Sequence, residues 1–460
     1  MSNPKRRIGE IERRLEELPK GTLTYKNING KKQPYVQRTI DGKSISYYVK
    51  VSEREQILLE FEERSRLQEE RQHLIAYQKK LATILAKNPY LSEPVGMGHQ
   101  NFRDFIDEKM FYVDKTQFIS EWMQTGDKVT LITRPRRFGK TLILSTVETF
   151  FDPRYAEHPE YFKGLKVWKD PACRTRFGSI PAIFASFGNC KGRDYKQAIR
   201  GLMFSLYHMF RKHNYLLDSD KLDDTDKAIF REYEQGLFHD EEDKVEKSIS
   251  VLCELLYKHC GALPYILLDE YDTPLLEAYT DGYWEKMISI CRRLFHGTFK
   301  ENEFYSRAII TGVTRVSKNS LFSDLNNIGV YTVTDDEYSD CFGFTEEEVM
   351  DALKCQNIDE FRAVKEMYDG FIFGHRKDMY NPWSICNYIE RKQLISYWIN
   401  TSSNKVIGDI IRKHPVRYKY EIERLMAGLT KMSPSSIWTG TRTAYGLCSW
   451  PLVMLRRTMR

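Results

Sequence analysis

The stretch that most constrains this chain is Val129 to Thr141, which reads VTLITRPRRFGKT. Val129-Thr130-Leu131-Ile132-Thr133 is short, apolar and β-branched, so it reads as a buried strand. Phe138-Gly139-Lys140-Thr141 follows, and the apolar-periodic LILSTVETFF after it reads as a helix. Strand, loop, Gly-Lys-Thr and helix is the context a phosphate-binding loop needs. In such a loop backbone N–H groups wrap the phosphates, a lysine at the position of Lys140 reaches the β/γ oxygens, and a hydroxyl at that of Thr141 holds Mg²⁺. The first glycine of G-x-x-x-x-G-K-[ST] falls at position 134, which is Arg134. A chance Gly-Lys-Thr is the competing reading of this stretch taken alone.

Leu263 to Asp272, LPYILLDEYD, is a second apolar strand, and it ends in adjacent carboxylates. A phosphate-loop enzyme needs one carboxylate for the Mg²⁺ shell and another to orient or deprotonate the attacking water. Asp269 suits the first role and Glu270 the second; the alternative is a solvated pair capping a strand. Both signals in this order, each on an apolar strand, favour an ATP-hydrolysing core.

Seven segments resemble the AAA-ATPase-like family of bacterial P-loop proteins. They are YVDKTQFI at 112–119, ITRPRRFGKT at 132–141, LLDEYDTP at 267–274, TGVTRVSKNSLFSDLNN at 311–327, FGFTEEEV at 342–349, MYDGFIFG at 367–374 and YNPWSICNYI at 380–389. The resemblance spans roughly Gly96 to Gly428, and the family tolerates arginine at the first glycine position. It implies a nucleotide loop of Arg134, Arg136, Arg137, Phe138, Gly139, Lys140 and Thr141. It also implies ATP and Mg²⁺ as cofactors, the metal on Thr141 and Asp269, and often a PD-(D/E)XK nuclease-like domain at the C-terminus. Phe111-Tyr112-Val113-Asp114 resembles the family's entry strand, with Asp114 on the base side of the nucleotide; a structural turn at Asp114 and Lys115 is the alternative.

The remaining core elements follow in chain order. Ile180–Phe187 reads as a strand, Tyr195–Lys212 as a helix, 217–245 as an acidic insertion or exposed helices, and Ile249–His259 as a helix. Ala308–Thr311 and Val330–Val333 read as the fourth and fifth strands. Strands alternating with helices imply parallel pairing with helices on both faces of the sheet. The expected fold is therefore α/β: a P-loop NTPase with an ASCE-type parallel sheet, in which an added strand lies beside the phosphate-loop strand. At the tip of that strand Thr311 or Thr314 is placed to sense the γ-phosphate and Arg315 to offset transition-state charge. Arg315 capping a helix or pairing with Asp324 is the alternative. Cys341–Cys386 reads as a helical lid, with Asp369-Gly370 and Asn381-Pro382 as turn signals.

Charge sets the N-terminal segment apart. The chain carries +6 overall, residues 1–90 carry +7, and within 20–50 seven Lys and Arg face Asp41 alone. TLTYKNI, KKQPYVQRTI and KSISYYVK, separated by Asn29-Gly30 and Asp41-Gly42, read as a three-stranded meander. A short helix, Ile8–Leu18, precedes it. A long one, Ser52 to about Lys87, follows, with Leu67, Leu74 and Leu81 at heptad spacing and Arg64, Arg71 and Gln78 interrupting the seam. Basic residues among Tyr25, Tyr35, Tyr47 and Tyr48 suit DNA or RNA bound through residues 20–50. An ordinary solvated edge is the alternative.

These readings divide the chain into a basic module at 1–90, an ATPase core at 91–335, a helical lid at 336–428 and an atypical tail at 429–460. Nine scattered cysteines without C-x-x-C give neither a zinc site nor a disulfide framework and fit a reducing cytoplasm. No apolar run nears the ~20 residues of a membrane span. Ser433–Arg460 has no acidic residue and four arginines, where the family continues with an acidic, Leu/Trp-containing segment. A reading-frame shift near Leu429–Met432 is expected, or else a divergent tail; with the shift, the product is an ATPase without its nuclease-like effector. Two function classes stand: a nucleotide-hydrolysing switch acting on nucleic acid or an effector, and an ATP-binding interaction module with little turnover.

Overall fold

The computed structural model describes residues 4–40, 43–87, 94–316, 321–322 and 328–398. It divides into two compact units, Met1–Ser92 and Glu93–Arg460. The expected tail and the last part of the expected lid lie outside the described residues.

The first unit contains α1 (Pro4–Glu17), the antiparallel meander β1 (Thr22–Ile28), β2 (Lys31–Ile40) and β3 (Lys43–Tyr48), and α2 (Arg54–Lys87). Asn29 and Gly30 join β1 to β2 with φ of 51° and 78°. A two-residue turn with both residues left-handed matches the twist of the strands, which is why Asn-Gly marks it. Val36 and Val49 of the sheet pack on Phe61 of α2, and Ile11 and Leu18 pack on Leu67. Arg64 donates to the carbonyls of Leu15 and Leu18 at 2.8 and 3.3 Å, and Arg71 pairs with Glu12 at 2.7 Å. Arg64 and Arg71, which interrupt the heptad seam, thus fasten the N-terminal helix onto it, and Leu67 and Leu74 pack there; the side chains of Gln78 and Leu81 lie outside the described residues.

Strand register separates the four tyrosines. Tyr47 lies opposite Val36 and Tyr25 opposite Pro34, on the side that carries the core, whereas Tyr35 lies opposite Tyr48 on the other side. On that second side Lys26 sits 4.6 Å from the Tyr35 ring centre and Arg54 sits 5.7 Å from that of Tyr48. The expected mixture of cations and rings is therefore present, spread over two faces.

In the second unit β4 (Val129–Thr133), β5 (Ala182–Ser186), β6 (Tyr265–Asp269), β7 (Arg307–Gly312) and β8 (Ile328–Tyr331) form one parallel sheet in the order β5-β6-β7-β4-β8. Every residue of β4 and β6 is buried, so helices cover both faces. On one face Leu131, Ile183, Leu268 and Ile310 pack with Leu202, Leu252 and Leu294 from the helices Tyr195–Arg211, Ser248–Cys260 and Trp284–Phe299. On the other, α3 (Lys140–Phe151) lies over β5 and β6. This is the α/β, P-loop NTPase-like architecture, with β7 inserted between the strand of the loop and the strand of the carboxylates.

Several elements differ from expectation. The fifth strand is Ile328–Tyr331, because Asp335 accepts from the Thr332 N–H and hydroxyl at 2.7 and 2.8 Å and turns the chain there. The acidic stretch 217–245 contains the helix Asp224–Phe238, whose Phe230 and Leu237 join the core. Phe111–Asp114 forms no strand; the Phe111 N–H donates to the Pro94 carbonyl at 3.0 Å. Over 341–386 the helices Glu346–Cys355 and Phe361–Tyr368 and the start of Pro382–Arg391 enclose a hairpin, β9 (Phe371–Phe373) and β10 (Arg376–Met379). The side chains of Phe371, Phe373 and Met379 cluster there with Phe138, while Ile372 is exposed.

Candidate functional site

The loop after β4 opens with the Arg134 N–H bonded to the Gly312 carbonyl at 3.2 Å. It closes on Gly139, which caps α3 with φ 83°. No atom lies near where a Cβ on Gly139 would stand, so the left-handed backbone, and not crowding, is what requires glycine. Helix α3 begins at Lys140 and presents its first, unpaired N–H groups to the loop. The Lys140 ammonium folds back onto the carbonyls of Arg134 and Pro135 at 3.1 and 2.8 Å. Burial lowers its pKa, and Asp269, Asp272 and Glu270 act in the opposite direction.

Across the sheet, Asp269 ends β6 and is buried. One of its oxygens accepts from the Thr141 hydroxyl at 2.5 Å, the other from the Thr311 hydroxyl at 2.5 Å and the Glu270 N–H at 3.0 Å. Burial raises its pKa, while the two hydroxyls and Lys140 lower it. Thr311 is brought here because β7 lies between β4 and β6. Glu270 has φ 52° and a half-buried side chain whose Oε2 accepts from the Thr273 hydroxyl at 3.1 Å. A Cβ on Gly188 would stand 2.7 Å from that oxygen, so glycine there makes room for the carboxylate. Asp272 accepts from the Thr314 N–H and hydroxyl at 2.6 and 2.7 Å, which ties Thr314 to the carboxylate strand.

The arginines of the loop do different things. Arg134 is fully buried, and its guanidinium donates to the carbonyls of Thr133, Tyr331, Glu337 and Tyr338 at 3.0–3.3 Å. Burial pulls its pKa down to about 10. Arg137 is exposed, with φ 70°, and its guanidinium lies 4.1 Å from the Trp383 ring centre. The Arg136 carbonyl accepts from the Trp398 indole at 3.2 Å, while Phe138 packs against Phe371 and Phe373. Elements of the expected lid therefore grip the loop directly.

A cavity of about 410 Å³ opens over the loop. Arg136, Arg137, Phe138, Gly139, Lys140, Thr141 and Glu270 all line it, and Phe105, Phe111, Tyr112, Phe344 and Trp383 supply aromatic walls. Five Lys or Arg residues line it, among them Lys115 and Lys191, against Glu270 as its one carboxylate. Asp114 and Arg315 are not among the lining residues. The Asp114 carboxylate instead accepts from the Thr116 N–H and hydroxyl and from the Lys166 N–H at 2.6–2.9 Å, a turn role. Arg315 is exposed, and Asp324 lies outside the described residues. Sequence reasoning missed Lys191 and Trp383, which reach the cavity from segments far along the chain; no spacing rule links them to the Gly-Lys-Thr.

No helix among the described residues is long and apolar enough to cross a membrane. Residues 94–322 match the model of a family described as "Predicted AAA-ATPase". A relative described as "Uncharacterized protein in vnfD 5'region", from Azotobacter chroococcum mcd 1, is 28% identical over 341 residues, 73% of this chain and 58% of the relative. The chain thus spans little more than half the length of that relative. No solved structure matches.

Proposed function

Residues 94–322 belong to the predicted AAA-ATPase family, and from that premise we propose that the chain binds ATP and hydrolyses it with Mg²⁺. The observation that carries the reading is the 2.5 Å contact between the Thr141 hydroxyl and the Asp269 carboxylate, 128 residues apart, at the N-terminus of a helix whose first residue is a buried lysine. Hard oxygen donors of this kind fit Mg²⁺, and Thr141 and Asp269 are the residues that would hold it. When bound, the ion supplies charge neutralisation on the β- and γ-phosphate oxygens.

The chain's own residues do the rest. Lys140 exchanges the carbonyls of Arg134 and Pro135 for phosphate oxygens, joined by the N–H groups that open α3. Thr311 holds Asp269 in orientation. Glu270 accepts a proton from the attacking water as the new O–P bond forms and the bond from Pγ to the bridging oxygen breaks, leaving ADP with the electron pair. Arg134 supports the loop from beneath, and Arg137 and Phe138 pass its state to residues of the lid. Thr311 acts through Asp269 in this scheme, as a positioning residue. Residues 91–335 form the ATPase core and 336–428 the lid, and the basic 1–90 module contacts nucleic acid through the lysines of its sheet.

The second reading, an ATP-holding module with little turnover, draws on Glu270, whose carboxylate is occupied by Thr273. Mg²⁺-dependent phosphate release by the purified chain separates the two. Release that Glu270→Gln abolishes supports hydrolysis; ATP binding without release supports the holding module.

A further inference from the structure

We propose that Lys191 contacts the γ-phosphate of a bound nucleoside triphosphate, a task that the sequence suggests for Thr311 or Thr314, with Arg315 offsetting transition-state charge. The inference rests on the nucleotide reading of the site.

Lys191 stands on the loop after β5, the strand beside β6. Ser186 pairs with Asp269 in that ladder, and the Phe187 N–H extends the pairing to the Asp269 carbonyl at 2.9 Å. The next residue, Gly188, is the one that lies flush against the Glu270 carboxylate. The loop thus follows the carboxylate strand to its end and emerges on the side of the cavity that holds Glu270.

Its backbone is fixed on every side. The Cys190 N–H donates to the Phe187 carbonyl at 3.0 Å and the Lys191 N–H to that of Asn189 at 2.8 Å. Cys190 is buried in the main core, and the Tyr283 hydroxyl donates to the Gly192 carbonyl at 2.7 Å. A Cβ on Gly201 would stand 2.9 Å from the Asn189 carbonyl oxygen, so the helix Tyr195–Arg211 packs close beneath the loop. A short loop held this way fixes where the Lys191 stem begins, at the wall of the cavity that it lines.

Electrostatics favour this lysine over its neighbours. Lys140 and Arg136 belong to the phosphate loop itself, Lys115 donates to the Asp340 carbonyl and Glu348 at 2.6 Å, and Arg137 lies on Trp383. The Lys191 ammonium is exposed and has no hydrogen-bond or ion-pair partner among the described residues. A γ-phosphate gripped by Lys140 must also face the water that Glu270 activates. The cation on the Glu270 side therefore meets oxygens that a diphosphate lacks. Arg315, exposed and outside the cavity lining, is not placed for that contact.

The test is calorimetric titration of the full chain with Mg²⁺ and either ADP or a non-hydrolysable ATP analogue, for wild type, Lys191→Ala, Lys191→Arg and Arg315→Ala. Lys191→Ala should bind the ATP analogue about 10- to 100-fold more weakly, the loss of one hydrogen bond to a charged group, and ADP within about twofold. Lys191→Arg should recover most of the preference for the triphosphate, and Arg315→Ala should keep it. An unchanged ratio in Lys191→Ala, equal loss of both nucleotides, or loss of the preference in Arg315→Ala would overturn the proposal while leaving the nucleotide site standing. A wild-type protein that binds neither nucleotide would remove the nucleotide reading itself, and this inference with it.

Discussion

Restoring the missing glycine of the phosphate loop, Arg134→Gly, should damage this protein. The Arg134 guanidinium makes four hydrogen bonds to backbone carbonyls and lies 5.4 and 5.2 Å from the ring centres of Phe342 and Phe373. Bonds from a charged donor contribute at least ~1.5 kcal/mol each. Desolvation opposes them: burial pulls the guanidinium pKa down to about 10, a penalty of roughly 3 kcal/mol. The balance leaves about 3 kcal/mol in favour of arginine. Lost packing and the chain entropy of glycine add about 1–2 kcal/mol. The variant should therefore be destabilised by about 4–5 kcal/mol. The measurement is a urea titration followed by circular dichroism, with ATP titration on the folded protein. Arg134→Lys keeps the charge but loses the planar fork that spans four carbonyls, so it should rescue only part of the loss. A glycine variant that unfolds at the wild-type midpoint would refute the reasoning. So would one that binds ATP more tightly at unchanged stability, because the position would then be an ordinary glycine site.

Other outcomes follow from the same geometry. Lys140→Ala should weaken ATP binding by about 2–4 kcal/mol, the range for truncating one partner of a buried charge pair; equal affinities by calorimetry would remove Lys140 from the site. Glu270→Gln should bind ATP normally and lose turnover, and wild-type phosphate release by that variant would place the base elsewhere. Asp269→Ala should abolish the Mg²⁺ dependence of ATP binding, and a retained dependence would move the metal to other ligands. In the first unit, replacing Lys26, Lys31 and Lys32 by Ser should lower the salt dependence of DNA binding by up to about 2–3 in log–log slope. A slope shared by both proteins leaves only the solvated-edge reading.

Much of this chain was legible because local rules dominate where they apply. An apolar β-branched run becomes a strand, as Val129–Thr133 does. Asn29-Gly30 turns a hairpin because both residues accept positive φ. Gly139 caps α3 for the same reason. The period of two along β2 already assigns Tyr35 and Val36 to opposite faces. Roles that depend on distant residues were not legible. Arg134 reads as a defect in a phosphate motif, and only the approach of Tyr331, Glu337 and Tyr338 makes it a buried anchor. Thr311 reads as a sensor at a strand tip, whereas the strand order sets its hydroxyl against Asp269. Arg315 carries suitable chemistry in a suitable motif, and the packing leaves it exposed; Asp114 takes the turn that the sequence offered beside the nucleotide reading. Lys191 carries no motif and reaches the cavity because β5 pairs with β6. The sequence by itself determined most of the strands, turns and helix starts of the sheet and the meander, since those follow from backbone sterics and hydrophobic period over a few residues, but not the hairpin at 371–379 or the strandless stretch 111–114. Which charges face the cavity was decided only by the tertiary structure, because it depends on the order of strands separated by scores of residues.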